Sequence, residues 1–324
     1  MALVLGIDEA GYGPLLGPLV IGATLWRVPA EHARADLWKL LGDCVCHAAD
    51  EHGDSRLAVD DSKKVYDRKS IATLERTVLA FARVRGLSCG TVAELIAALG
   101  AEVRAGATTH CPWYADLTER LPRDPSRSAC EGAATRLTAL MVRRGVECCG
   151  LRIELLAEDA FNRQVALTRN KAAVELTPVL RLMQWGAAQC DGGAGEDIVI
   201  LVDRLGGRTD YRELLMQAFP ERHLHVVELT DACSRYRLAA PRSDWHVEFR
   251  VNADGCHLPV ALASMFAKYV RELIMDRFNA YWQRLAPELK PTAGYYSDAR
   301  RFIRAVGPAA EQAGLTLRSF VRER

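Results

Sequence analysis

Apolar positions along the chain fall into short strand-like runs that alternate with stripes of helical period. Residues 3–7 are an apolar run that ends in Asp8-Glu9, and Gly11, Gly13, Pro14, Gly17 and Pro18 then punctuate the chain. The apolar, β-forming segment 19–26 predicts a second strand. A helix is expected over 31–49, a polar loop after it, and then the segment LAVDDSKK at 57–64. Asp67 reads as the cap of a helix running to about residue 84, with Ile71, Leu74, Val78 and Phe81 on one face. Helical patterns also cover about 91–100 and 129–144, with Pro- and Ser-rich segments between them. Residues 150–156 alternate as a strand does. A long helical pattern covers 159–189, with Asp159 as candidate cap and Pro178 as an expected kink. The Gly-rich loop DGGAGED leads into IVILVD at 198–203, which reads as a buried strand closed by a carboxylate. A short helix (209–218) and strands at 223–229 and 245–251 follow. Pro259 suits a helix first turn, and Leu262, Met265, Phe266, Tyr269 and Leu273 form the apolar stripe beyond it. The remainder of the chain reads as helical.

Strands that alternate with helices indicate an α/β fold with a mixed sheet. The segment 86–147 fits this alternation least well and is read as an inserted subdomain. The 324 residues are 49% apolar and 26% charged, the balance of an ordinary globular protein. No apolar stretch reaches the length of a membrane span. The first residues lack a basic region and carry too short an apolar run for a signal peptide, so a cytoplasmic protein with reduced thiols is expected. Neither Cys44-x-Cys46 nor Cys148-Cys149 has the spacing of a tetrahedral zinc clamp. Lys and Arg number 42 and Asp and Glu 41, which excludes a global field for polyanions and leaves room for a local basic groove.

Candidate chemistry lies at the strand ends. Asp8-Glu9, Asp203 and Asp254 each follow an apolar run. Brought together, such carboxylates repel, and one must protonate unless a cation sits between them. Hard oxygen ligands suit Mg²⁺ or Mn²⁺, and paired ions serve phosphodiester displacement. Asp231, which also follows a strand, is the rival of Asp254 for the last position. Singly, each acid reads as well as a turn or cap residue.

The local sequences around the acids carry a resemblance. GIDEAGYGPLLGPLVIGA at 6–23 resembles the first signature of type 2 ribonucleases H. Asp60-Asp61-Ser62-Lys63-Lys64 is similar to the Asp-Ser-Lys-Lys block of that family, and Asp203 before RLGG is similar to its Val-Asp-Gly aspartate. Asp254, followed by ALASMFAKYVRE at 261–272, and PTAGY at 291–295 resemble its last two blocks. The resemblance implies an RNase H-like mixed central sheet flanked by helices. Residues 1–85 and 148–260 would then form the catalytic core, and 261–324 a C-terminal helical cap. It implies Mg²⁺- or Mn²⁺-dependent hydrolysis of the RNA strand of RNA/DNA hybrids, or cutting at ribonucleotides embedded in DNA, by a monomer. Carried over by position, Asp8, Glu9, Asp203 and Asp254 would hold the metals. Gly11, Tyr12 and Gly13 would present backbone groups to the ribose, and Tyr295 would stack on the sugar and sense the 2′-hydroxyl. Lys63, Ser264 and Lys268 are further candidates for phosphate contacts. Tyr12 departs from the pattern by standing where the family has Arg. Glu272 replaces an Asp, and the Lys before Gly294 is absent.

Two other readings compete. One is a non-catalytic nucleic-acid-binding protein on the same scaffold. The other is an actin-like or sugar-kinase ATPase, for which Arg-Leu-Gly-Gly after Asp203 is a poor second phosphate loop.

Overall fold

The structure is a computed structural model, and it describes all residues except 51–54, 67–69, 102–109, 124–129, 190–196, 242 and 324. The expected cap Asp67 and most of the Gly-rich loop lie outside the described residues. Strands β1 (Ala2–Ala10), β2 (Leu19–Val28), β5 (Glu147–Leu156), β6 (Ile198–Asp203), β7 (His223–Leu229), β8 (Cys233–Ala239) and β9 (Trp245–Arg250) form one sheet, in the order β5-β2-β1-β6-β9-β8-β7. A small parallel pair, β3 (Val45–Cys46) and β4 (Leu57–Ala58), stands apart. β1 runs antiparallel to β2 and parallel to β6, which is parallel in turn to β9. The outer pairs β2–β5, β9–β8 and β8–β7 are antiparallel. The sheet is therefore mixed and covered by helices on both faces, as the sequence indicates.

The helices are α1 (Leu37–Leu40), α2 (Ser62–Val65), α3 (Ala72–Val84), α4 (Val92–Ala98), α5 (Cys130–Arg144), α6 (Glu158–Thr168), α7 (Lys171–Ala188), α8 (Arg212–Ala218), α9 (Leu258–Leu285), α10 (Tyr296–Gln312) and α11 (Leu317–Phe320). One apolar core joins α3, α5 and α9 to one face of the sheet, and a second joins α6, α7 and α8 to the other. Residues 111–121 belong to the first core. Trp113 there meets Phe278 edge-on with ring centres 4.9 Å apart.

Three sequence expectations are corrected. Residues 31–49 are not one helix. Asp36 caps only the single turn of α1, and the chain then turns through Gly42 to place Val45–Cys46 against β4. The stretch 159–189 is two helices, and the break is at Arg169 (φ 50°) and Asn170, not at Pro178. Asn170 Oδ1 accepts from Ala172 N at 3.0 Å and restarts the helix, whereas Pro178 sits inside α7. Asp159 is in the first turn of α6, paired with Arg163, and not at its cap. Strand β8 is an addition to the expected elements: Arg235 and Arg237 interrupt its apolar side chains, and only pairing between β7 and β9 shows it as a strand.

Helix α9 lies directly across the strand carrying Asp8. A Cβ on Gly6 would stand 2.2 Å from the Pro259 carbonyl carbon, and one on Gly22 would stand 2.2 Å from the Ala263 oxygen. Only glycine permits this approach. Thr24 Oγ1 donates to the Pro259 oxygen at 2.8 Å and fixes the helix at that height.

Candidate metal centre and the loop above it

The register of the parallel strands decides where the acids meet. Ile7 stands opposite Val202, so the next residues, Asp8 and Asp203, leave neighbouring strands side by side. Leu3, Leu5 and Ile7 point into the α7 core, and so do Ile198, Ile200 and Val202. By alternation Asp8 and Asp203 point to the α9 face, and Glu9 to the α7 face. One carboxylate oxygen from each of Asp8, Glu9 and Asp203 lies within 4.8 Å of the others. Asp254 is outside that trio. β9 ends at Arg250, and Asn252 (φ 59°) turns the chain into a short 3₁₀ turn, Ala253–Gly255, that holds Asp254 at the rim. The Ala253 amide donates to Asp203 Oδ1 at 2.8 Å and ties that rim to the trio. Asp231 sits exposed in the turn between β7 and β8.

These acids are electrostatically strained. Burial, together with Glu9 and Asp203, holds the Asp8 carboxyl well above the usual carboxylate range. Burial and the neighbouring Glu175 push Glu9 up to about 8. Asp254 is raised to about 6 by burial, Asp61 and Asp203. Burial also raises Asp203, against the amides of Ala253 and Arg204 that stabilise its charge. Glu9 Oε2 is buried with no hydrogen-bond partner among the described residues. Such a cluster is costly as a structural element and fits a hard divalent cation, which supplies the missing positive charge.

The other predicted residues separate into two groups. Lys63 is exposed at the start of α2, and burial weakens its ammonium less than Asp61, Asp254, Asp8 and Glu9 strengthen it. Ser264 is buried on α9 beside Asp8, its Oγ 3.1 Å from that of Ser62. Lys268 is buried, and its ammonium donates to Glu272 Oε1 at 2.6 Å and lies 5.0 Å from the Tyr66 ring centre. Its charge is thus engaged within the fold.

Gly11 has φ 102°, and a Cβ there would stand 2.5 Å from the Pro18 oxygen, so the turn requires glycine. Gly13 has open space around it. Arg322, from the end of the chain, donates through one guanidinium nitrogen to the carbonyls of Gly11, Tyr12 and Pro14. The Leu15 carbonyl accepts from the Arg322 amide, and Gly294 O accepts from Leu15 N at 2.9 Å. The loop after β1 is therefore held by the C-terminal tail on one side and by the 292–295 segment on the other. Tyr295 is half-exposed beside it, with the Arg271 guanidinium 5.7 Å from its ring centre. Tyr12 turns inward, and its ring lies under the Lys171 ammonium at 4.5 Å.

Two acids at the site are additions to the site residues expected from the sequence. Asp61 caps α2 by accepting from Lys63 N at 2.9 Å and faces Asp254. Glu175 on α7 is 1% exposed and lies beside Glu9. A signal for Glu175 exists. With Val179, Leu182 and Gly186 it occupies i, i+4, i+7 and i+11 of one buried stripe, a place where a carboxylate is out of character.

No protein-family model matches the sequence, and neither does any curated protein. Several solved structures are similar in fold. The RNase HII of Archaeoglobus fulgidus, in its complex with PCNA, is 14% identical; the match covers 99% of this chain and 94% of that one, with a TM-score of 0.45. The ribonuclease H2 of Pyrococcus horikoshii is 14% identical over 99% of this chain and 92% of that one, also with a TM-score of 0.45. A Bst-RNase HIII in complex with Mn²⁺ is 15% identical over 99% and 66%, with a TM-score of 0.40.

Proposed function

We propose that this chain is a divalent-cation-dependent endonuclease that hydrolyses the RNA strand of RNA/DNA hybrids or cuts DNA at embedded ribonucleotides. The observation that carries the reading is the meeting of Asp8, Glu9 and Asp203 within 4.8 Å at the ends of two adjacent parallel strands. Those three carboxylates would hold Mg²⁺ or Mn²⁺, with Asp254 joining from the rim. A cation held there would supply activation of a water and neutralisation of charge on the leaving oxygen. Lys63 adds an exposed ammonium at the mouth of the site and attracts a phosphate. The Gly11–Pro14 turn, which follows Glu9 directly, and the half-exposed Tyr295 ring beside that loop would receive a ribose and its 2′-hydroxyl. Helix α9 keeps Ser264 against Asp8 and so orients that carboxylate.

The test offers the protein three labelled duplexes: one with a single ribonucleotide, one with a four-ribonucleotide run and one full hybrid. Product ends are mapped with Mg²⁺ and with Mn²⁺. Cutting that requires a divalent ion and disappears in Asp8→Asn and Asp203→Asn supports the reading. Full activity in either variant overturns it. Tight hybrid binding that ignores EDTA, with no cutting under any divalent ion, would move the chain to the binding-protein class.

A further inference from the structure

Glu175 is a buried carboxylate on α7. It is 1% exposed, and neither Oε1 nor Oε2 has a partner among the described residues. It does not face the apolar core alone. A Cβ on Gly206, three residues past Asp203, would lie 3.2 Å from Tyr12 Oη and 3.8 Å from Glu175 Oε2, so that oxygen faces the turn that leaves the strand end, outside the 4.8 Å trio itself. Glu9, the one member of the trio that points to the α7 face, also has an unpartnered buried oxygen, Oε2. Two carboxylates from different elements, close enough for Glu175 to act on Glu9 electrostatically, thus present three buried oxygens without partners among the described residues. Asp8 and Asp203 add further negative charge there, and Lys171 and Arg322 are the cations that act on Glu175. Neither cation hydrogen-bonds to it: Lys171 lies over the Tyr12 ring, and Arg322 gives one nitrogen to loop carbonyls while its buried Nε and Nη1 have no partner among the described residues.

We propose that Glu175 is a fifth carboxylate of the cation site, which acts with Glu9 to bind divalent metal on the α7 face of the strand ends. The proposal rests on the metal-site reading above and extends it to a residue carried by a helix. A buried, ionised carboxylate without partners is among the costliest groups a fold can hold, and a cation between Glu9 and Glu175 removes that cost.

The experiment titrates Mn²⁺ into the full-length chain, followed by electron paramagnetic resonance and calorimetry, and records thermal melts with and without Mn²⁺. Wild type is compared with Glu175→Gln, Glu175→Asp and Asp203→Asn. Glu175→Gln is expected to weaken Mn²⁺ binding on the order of tenfold or more, with Glu175→Asp between it and wild type. In metal-free protein Glu175→Gln is expected to melt at or above wild type, because a buried carboxyl that can ionise only at a cost is gone. It should gain less from added Mn²⁺. If Asp203→Asn loses Mn²⁺ while Glu175→Gln binds it as wild type does, Glu175 is only a counter-charge for Lys171 and Arg322. The proposal then fails and the site reading stands. A lower metal-free melt in Glu175→Gln with unchanged affinity in Glu175→Asp overturns the proposal in the same way. If wild type itself binds no Mn²⁺, the site reading falls and this proposal falls with it.

Discussion

On β9 the carboxylate of Glu248 accepts from Arg235 Nε at 2.6 Å and lies 3.3 Å from His257 Nε2. Two strands away, at the end of β1, Glu9 is also enclosed, yet its Oε2 has no partner among the described residues. The consequences are opposite. Burial alone would raise Glu248, but His257 and Arg235 outweigh it and hold the group at about 2, whereas burial and Glu175 push Glu9 up to about 8. One sheet thus contains a satisfied carboxylate that supports the fold and an unsatisfied one that works against it. Proteins retain the second kind where a ligand completes it. Packing and register give Glu248 two close cationic partners and leave Glu9 Oε2 without one among the described residues, and this contrast marks the strand ends as the candidate site.

The largest effect that would break the contrast is loss of cutting. On the proposed function, Asp8→Asn and Asp203→Asn should each lower cleavage by about 10³-fold or more, since each would remove charge needed to hold the cation. Both should retain the fold and melt at or above wild type without metal. Single-turnover assays and melts on the same preparations check this.

The next effect is a pH dependence of opposite sign at the two places. Glu9 is raised from 4.5 to about 8 in the folded chain, so the folded state holds the proton longer. Stability of the metal-free protein should therefore fall as pH rises from about 4.5 to about 8. Mn²⁺ should restore it most at the upper end. Glu248 is lowered from 4.5 to about 2, so its contribution is complete above 4.5 and lost as pH falls through about 2. Melts across this range, with Mn²⁺ and with EDTA, would sink the contrast if the metal-free curve rose steadily between pH 5 and pH 8.

A third measurement sharpens how far the site extends beyond the acids. Tyr295→Ala removes a half-exposed ring beside the loop after β1 and should raise KM for hybrid by roughly tenfold, the scale of one stacking contact, with little change in kcat. An unchanged KM would place the nucleic acid elsewhere. The smallest effect is expected on the satisfied side. Glu248→Gln should cost about 1 kcal/mol, because Arg235 is accessible to solvent, and should leave Mn²⁺ affinity and cutting intact. Equal loss of activity in this variant and in Asp8→Asn would erase the distinction.

Some of this is legible in the residues and some is not. The strands around Asp8 and Asp203 are readable because an apolar run closed by a carboxylate is a local pattern. The expected helix over 31–49 fails because the stop at Gly42 and the pairing of Val45–Cys46 with Leu57–Ala58 involve partners distant in sequence. Glu175 is hidden because a single acid in a helical stripe is ambiguous until its neighbours are known.

By itself the sequence determined the alternation of strands and helices, the Gly11 turn, and the presence of acids at strand ends. Each of these depends on residues close together along the chain, so periodicity and side-chain type suffice. Only the tertiary structure decided that Ile7 pairs with Val202, that Asp254 stays at the rim, and that α7 brings Glu175 against Glu9. Those are matters of register and packing between distant segments. A one-residue slip would send Asp8 to the other face and leave the composition unchanged.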